Sequence, residues 1–213
     1  KFLLGGDLHY NHIGKLLCDK FVITKKVEQK NYFKNLLFLI EKYKIDCIIP
    51  TFESEQKRLA ELVPTRKLLG ADIILANKKS LDIGFDKFKT YEFLKQNNLP
   101  YPWTIPLERG LPKQLPCILK SRFSSGNSDV KIIKKSRNLN LYRKIFHGHV
   151  WQENIGDARN EYTCGVFRSS QKDVRVIIFK RRLSLGISMY AEIVENKKIK
   201  SLCIDVAKKL DLN

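Results

Sequence analysis

Residues 116–130 read Pro-Cys-Ile-Leu-Lys-Ser-Arg-Phe-Ser-Ser-Gly-Asn-Ser-Asp-Val, and this stretch decides how the rest of the chain is read. An apolar run delivers Lys120 to the mouth of a segment built mainly from Ser, Gly and Asn. A second apolar run, residues 130–133, follows at once, so the pattern predicts a β-hairpin with Ser124, Ser125, Gly126, Asn127 and Ser128 at its tip. Small residues let backbone N–H groups turn toward an anion, and a lysine beside them adds a full positive charge. A phosphate cradle and an ordinary solvated turn both fit these fifteen residues. The neighbouring sequence has to separate the two.

Upstream, apolar residues recur at helical spacing through Phe33, Leu36, Leu37, Ile40 and Tyr43. That spacing predicts an amphipathic helix over residues 29–44. Residues 46–50 (Asp-Cys-Ile-Ile-Pro) form a short continuous apolar run stopped by proline, predicted as a buried parallel strand. A helical pattern through Leu59, Leu62 and Val63 follows. Further short strands are expected at residues 20–24 and 71–76. Another is expected at residues 2–4, running into a tight turn at Gly5 and Gly6. Strands alternating with helices argue a parallel α/β layer over the first 80 residues.

Helices are next expected at residues 78–83 and 86–97, the second opened by Asp86-Lys87 and closed where Pro100 and Pro102 forbid continuation. From residue 116 the texture becomes β, with strands expected at 117–120, 130–133 and 150–152 and a helix at 139–146. Residues 161–167, 174–180 and 187–194 suggest consecutive antiparallel strands. A closing helix carries Leu202, Val206 and Leu210.

Composition narrows the function classes. The chain has 213 residues, 43% hydrophobic and 29% charged, which is ordinary globular composition. Its apolar runs are far too short to cross a bilayer, so no membrane partner is expected. The five cysteines are scattered without zinc or redox spacing, and reduced thiols in a cytoplasmic protein are expected. The four histidines lack partners at metal-ligand spacing. The net charge of +18 attracts polyanions, but the lysines are spread along the chain and no nucleic-acid-binding motif is present. Nucleic acid is therefore not the expected partner. Lys1 rather than Met opens the chain, which leaves room for a segment upstream.

The order of features is more telling than any one of them. An α/β layer is followed by Asp86-Lys87 opening a helix, then the strand ending in Lys120, then residues 150–156 (Val-Trp-Gln-Glu-Asn-Ile-Gly) with Glu161 beyond. In this order the chain resembles the ATP-grasp superfamily. Around residues 45–60 and 86–104 it looks most like the large subunit of carbamoyl-phosphate synthase and its stand-alone relatives. The resemblance implies an α/β protein, α+β in its second half. A Rossmann-like pre-ATP-grasp domain would span residues 1–80 and an ATP-grasp domain residues 81–213. The lid subdomain would cover about 105–155 and the start of the C-terminal lobe would follow from about 156.

The resemblance also implies chemistry: an ATP-dependent carboxylate–amine or carboxylate–thiol ligase acting through an acyl phosphate. Lys87 and Lys120 would reach the phosphates, and Ser124 to Ser128 would fold over them. Gln152, Glu153, Asn154 and Ile155 would form the adenine hinge, and Glu161 would accept from the ribose hydroxyls. A phosphate at the helix N-terminus would account for a lysine in the first turn, where the helix dipole favours anions. Lys180 and Arg182 are candidates to face the γ-phosphate or acyl group, and Thr51 and Glu53 to touch the acceptor substrate. Small carboxylates and amines are the implied partners, and pairing into homodimers is common among relatives.

Several positions depart from the family pattern. The lid has only Gly126, Asp129 stands where a glycine is common, and Ser121 replaces a frequent proline. The Gly156-to-Glu161 spacing is long, and no segment fits the family's Mg²⁺ ligands, which are expected downstream of Asn213. These departures support an alternative: a non-catalytic nucleotide-binding or interaction module.

Overall fold

The computed structural model describes residues 1–123, 130–156, 160–184 and 187–212. The chain divides into two compact units, Lys1–Lys78 and Lys79–Asn213.

In the first unit, β1 (Leu4–Asp7) pairs in parallel with β2 (Lys20–Ile23). Helix α1 (Tyr32–Tyr43) buries Tyr32 and Ile40 and stops at Lys44, whose left-handed backbone (φ 50°) turns its N–H back to the Ile40 carbonyl. Then come β3 (Cys47–Ile48), α2 (Glu53–Leu62), β4 (Lys67–Leu68) and β5 (Ala71–Ile73). The strand order is β3-β5-β4, with β3 parallel and β4 antiparallel to β5. Leu59, Ala60, Val63, Ala71, Ile73 and Leu75 are the buried apolar residues from this part of the unit.

Two local expectations fail here. Gly5 and Gly6 lie inside β1 rather than in a turn after it. A side chain at either would collide with β2 and its approach: a Cβ on Gly5 would stand 2.8 Å from Cys18 Sγ, and one on Gly6 2.7 Å from Thr24 Cγ2. The glycines serve close strand approach, not a bend. The run at residues 46–50 also makes only a two-residue strand, with Cys47 and Ile49 exposed rather than buried. Its physical reason is position: β3 is an edge strand, hydrogen-bonded on one side only. The parallel pairs thus fall into two small sheets, β1-β2 and β3-β5-β4, not one layer.

The second unit begins with α3 (Lys78–Gly84) and α4 (Lys87–Gln96). Strands β6 (Thr104–Pro106), β7 (Cys117–Ser121) and β8 (Lys131–Ile133), helix α5 (Leu139–Ile145) and β9 (His149–Glu153) follow. They build an antiparallel sheet in the order β6-β9-β7-β8. The expected hairpin is present, with Cys117 opposite Ile133 and Leu119 opposite Lys131. Alternation along β7 and β9 sends Cys117, Leu119 and Trp151 to one face, where Trp103, Leu107, Ile133 and Leu139 close the core. Tyr142 and Phe146 from α5 and its C-terminus pack onto the same cluster.

The last elements are β10 (Glu161–Arg168), β11 (Val174–Ser184) and β12 (Ile187–Ile193), an antiparallel meander in chain order. Helix α6 (Lys197–Lys209), capped by the Asn196 side chain on the Ile199 N–H, packs against β10 and β11. Among the described residues no helix is long and apolar enough to cross a membrane.

Candidate functional site

The face of the β6-β9-β7-β8 sheet away from the core carries Ile118 and Lys120 from β7, Val150 and Gln152 from β9, and Thr104 from β6. Directly opposite residues in a sheet share a face, so Lys120 stands over Val150 while Gln152 lies between Ile118 and Thr104. Gln152 donates to the Thr104 hydroxyl at 2.9 Å. Lys120 is half-buried here. Burial is the main cause pushing its ammonium down to about 8, and repulsion from Lys87 adds to it.

Lys87 reaches this place because the start of α4 is fastened to the end of β7. Asp86 is the N-cap, its Oδ1 accepting from the N–H groups of Phe88 (2.9 Å) and Lys89 (3.2 Å). The same carboxylate takes two bonds from Arg122: Nε to Oδ1 and a terminal nitrogen to Oδ2, both 2.7 Å. The Lys87 N–H donates to the Arg122 carbonyl at 3.2 Å, and the Arg122 N–H to the Gly148 carbonyl at 2.9 Å. Burial pushes the Asp86 carboxyl up, but hydrogen bonds from Arg122, Lys89 and Phe88 outweigh it, and the net shift is downward.

This geometry corrects one expectation. The N–H groups of Phe88 and Lys89 are occupied by Asp86, so they are not the anion seat that the lysine in this turn suggested. What the turn contributes is the charge of Lys87, which repels that of Lys120 near the end of β7. Asp86 and Arg122 were missed as a pair. An Asp before a helix signals a cap, but nothing in the sequence signals its partner 36 residues on.

The segment expected from sequence as a hinge, residues 152–155, lies at the end of β9. The Glu153 side chain faces away from Lys120, sharing the Cys117 face, and accepts from the Trp103 N–H at 3.1 Å. The Glu153 N–H donates to the Trp103 carbonyl at 2.9 Å. Asn154 and Ile155 are exposed beyond it, Ile155 at 63%. Ser124, Ser125, Gly126, Asn127 and Ser128 lie outside the described residues.

On the meander, Glu161 pairs across to Arg181, whose terminal nitrogen donates to Oε1 at 2.7 Å. Lys180 and Arg182 are exposed and, by strand alternation, project from the other face. That other face is the one α6 covers: Cys164, opposite the buried Ile178, is hydrogen-bonded to Cys203 of α6. Glu161 therefore shares its face with Arg181, not with the two basic residues singled out from sequence. In the first unit, Thr51 is exposed and Phe52, not Thr51, is the N-cap of α2, with Glu53 in the first turn.

An open cavity of about 500 Å³ is lined by Phe88, Tyr91, Glu92, Thr104 and Arg109 among others, and neither Lys87 nor Lys120 lines it. Among the described residues no group of three or more His, Cys, Asp or Glu gathers as a metal-ligand set.

No protein-family model matches the chain, and no curated protein matches it by sequence. Solved structures do. Biotin carboxylase from Campylobacter jejuni, in its β-γ-ATP complex, is 12% identical with a TM-score of 0.70, over 99% of this chain and 54% of that one. N5-carboxyaminoimidazole synthetase from Staphylococcus aureus, complexed with ADP, is 16% identical at a TM-score of 0.70, over 98% and 56%. L-amino acid ligase from Bacillus licheniformis is 16% identical at 0.62, over 90% and 49%. The chain spans about half the length of these solved chains.

Proposed function

The chain has the ATP-grasp fold, and from that premise we propose that its second unit binds ATP with the phosphates on Lys87 and Lys120. In this proposal the protein acts as an ATP-dependent ligase that joins a small carboxylate to an amine or thiol through an acyl phosphate. The observation that carries this is a half-buried Lys120 that feels the charge of Lys87, at the place where the Arg122–Asp86 bridge joins the start of α4 to the end of β7. A half-buried lysine crowded by a second lysine is an unfavourable arrangement that a polyanion relieves.

Ser124, Ser125, Gly126, Asn127 and Ser128 close over the phosphates in this proposal. Gln152, Glu153, Asn154 and Ile155 hold the adenine, chiefly through backbone groups at Asn154 and Ile155. Glu161 takes the ribose hydroxyls with the oxygen positions that Arg181 leaves open, since a carboxylate offers about four acceptor sites. Thr51 and Glu53 are proposed acceptor-substrate contacts, and Lys180 or Arg182 contacts of the acyl group. Mg²⁺ enters as the counter-ion of bound ATP, and no step is assigned to it. We place the protein in the cytoplasm as a homodimer, nearest in kind to carbamoyl-phosphate synthase large-subunit-like ligases.

Calorimetric titration of the full-length protein with ADP and ATP tests the binding step. Saturable binding that Lys120→Ala weakens roughly 10- to 150-fold supports it, the range that loss of a charge-assisted contact of about 1.5–3 kcal/mol gives. Equal affinity in both proteins sinks it. The Glu161–Arg181 pair, with one acceptor already engaged, favours a second reading: a nucleotide-binding module without turnover. ADP release with any member of a carboxylate and amine panel excludes that reading.

A further inference from the structure

Arg122 joins two places of the second unit, the start of α4 and the approach to β9. Its guanidinium forks onto both oxygens of Asp86, its carbonyl accepts from the Lys87 N–H, and its own N–H donates to Gly148 just before β9. Its guanidinium carbon also lies 5.3 Å from the centre of the Phe88 ring, which Arg109 approaches at 4.6 Å. Asp86 is 3% exposed, so the bridge works largely out of water, where a planar two-point fork fixes geometry better than a single ammonium contact.

Each end of this bridge adjoins a lysine. Asp86 immediately precedes Lys87 at the start of α4, and Arg122 stands two residues after Lys120 at the end of β7. Helix and strand come from segments more than thirty residues apart, and the described hydrogen bonds joining them here all involve Arg122. Left alone, two ammonium groups repel and drift apart; a bridge between the residues next to them opposes that drift.

We infer that Asp86 and Arg122 are a positioning pair that fixes the separation of Lys87 and Lys120 and so sets how tightly nucleotide phosphates are held. The pair itself is charge-neutral and touches no phosphate. This rests on the nucleotide-binding proposal for its consequence, but the separation of the two lysines is a property of the free protein. Among the described residues, Lys87 is the charged group that acts on Lys120; Asp86 and Arg122 adjoin the two lysines in sequence, β8 carries Lys131 opposite Leu119, and β9 sets uncharged Val150 opposite Lys120 and His149 opposite Ser121.

The test compares Arg122→Met, Arg122→Lys and Asp86→Asn, the last keeping a capping acceptor for α4. NMR titration of the Lys120 ammonium in the free proteins and calorimetry with ADP are the two readouts. In Arg122→Met and Asp86→Asn the lysines separate, the Lys120 midpoint rises above about 8 by the smaller share that Lys87 contributes while burial keeps it below the ordinary lysine range, and ADP binds about tenfold more weakly. A rise in Asp86→Asn is the diagnostic one, because loss of the carboxylate alone would lower the midpoint. Arg122→Lys, with one contact instead of two, falls between. A folded variant of either residue with both the wild-type midpoint and the wild-type ADP affinity overturns the inference. If Arg122→Met fails to fold, Asp86→Asn decides. If the wild-type protein binds no ADP, the nucleotide proposal fails, and an unchanged Lys120 midpoint then rejects the positioning pair independently.

Discussion

Two stretches of this chain begin almost identically, Cys47-Ile48-Ile49 and Cys117-Ile118-Leu119, and end in different structures. The first gives a two-residue edge strand with Cys47 exposed and Ile49 68% exposed. The second gives a five-residue strand paired on both sides, with Cys117 at 0% and Leu119 at 1%. Identical apolar character thus produces a thin edge in one unit and the centre of a sheet in the other. The difference lies in partners. β7 has β8 and β9 beside it and Trp103, Trp151 and Leu139 beneath it, whereas β3 has β5 alone in its sheet.

Thiol chemistry measures the contrast most steeply. Burial pushes the Cys117 thiol up to about 11, so both access and thiolate formation are suppressed. Native-state alkylation followed by peptide mass spectrometry is expected to label Cys47 on the order of 1,000-fold faster than Cys117, which must wait for the sheet to open. Comparable rates at the two positions would dissolve the comparison. Packing gives the next largest effect. Leu119→Ala is expected to cost roughly 2–5 kcal/mol in urea unfolding and Ile49→Ala less than about 0.5 kcal/mol, because only the first leaves a cavity. A large loss at Ile49 would mean that its face is covered in solution.

The smallest effect sharpens what β7 does beyond packing. Lys120 is held at about 8, so it sheds its charge as pH rises past that value, and phosphate attraction goes with it. ADP affinity is expected to fall about tenfold between about pH 7 and about pH 9 in calorimetry at constant ionic strength. Lys120→Met should flatten that dependence, and a profile that keeps its slope in the variant would assign the titration elsewhere. The folding sign is opposite. The free protein binds fewer protons than the unfolded chain between about 8 and the ordinary lysine value, so the burial penalty of Lys120 is relieved as pH rises through that window.

Much of the fold was legible because it depends on local pattern. Helical spacing located α1, α4 and α6, and the proline at residue 100 marked where α4 could not continue. What failed was non-local. Gly5 and Gly6 looked like a turn because their reason for being glycine, Cys18 and Thr24 across β1-β2, is invisible in the run itself. Strand β6 was hidden by its own Pro106, tolerated because β6 is the sheet edge and needs no second partner.

The candidate site divides the same way. A strand ending in lysine can be read directly, so Lys120 was nominated from its own stretch, while Lys87 at the Asp-Lys helix start was nominated through the family resemblance. Their fastening could not be, since the Asp86–Arg122 bridge exists only once helix and strand have met. Period-two alternation does separate Arg181 from Lys180 and Arg182, but which face stays open depends on where α6 lands.

The core beneath the β6-β9-β7-β8 sheet has one more consequence, an optical one. Both tryptophans of the chain, Trp103 and Trp151, lie in it at 7% and 0% exposure, and Lys1–Lys78 contains none. Trp151 donates its indole N–H to the Gly110 carbonyl at 3.2 Å. Indole fluorescence is therefore a built-in reporter of this one core and blind to the first unit. Set beside backbone circular dichroism, it separates melting of the two halves without any label.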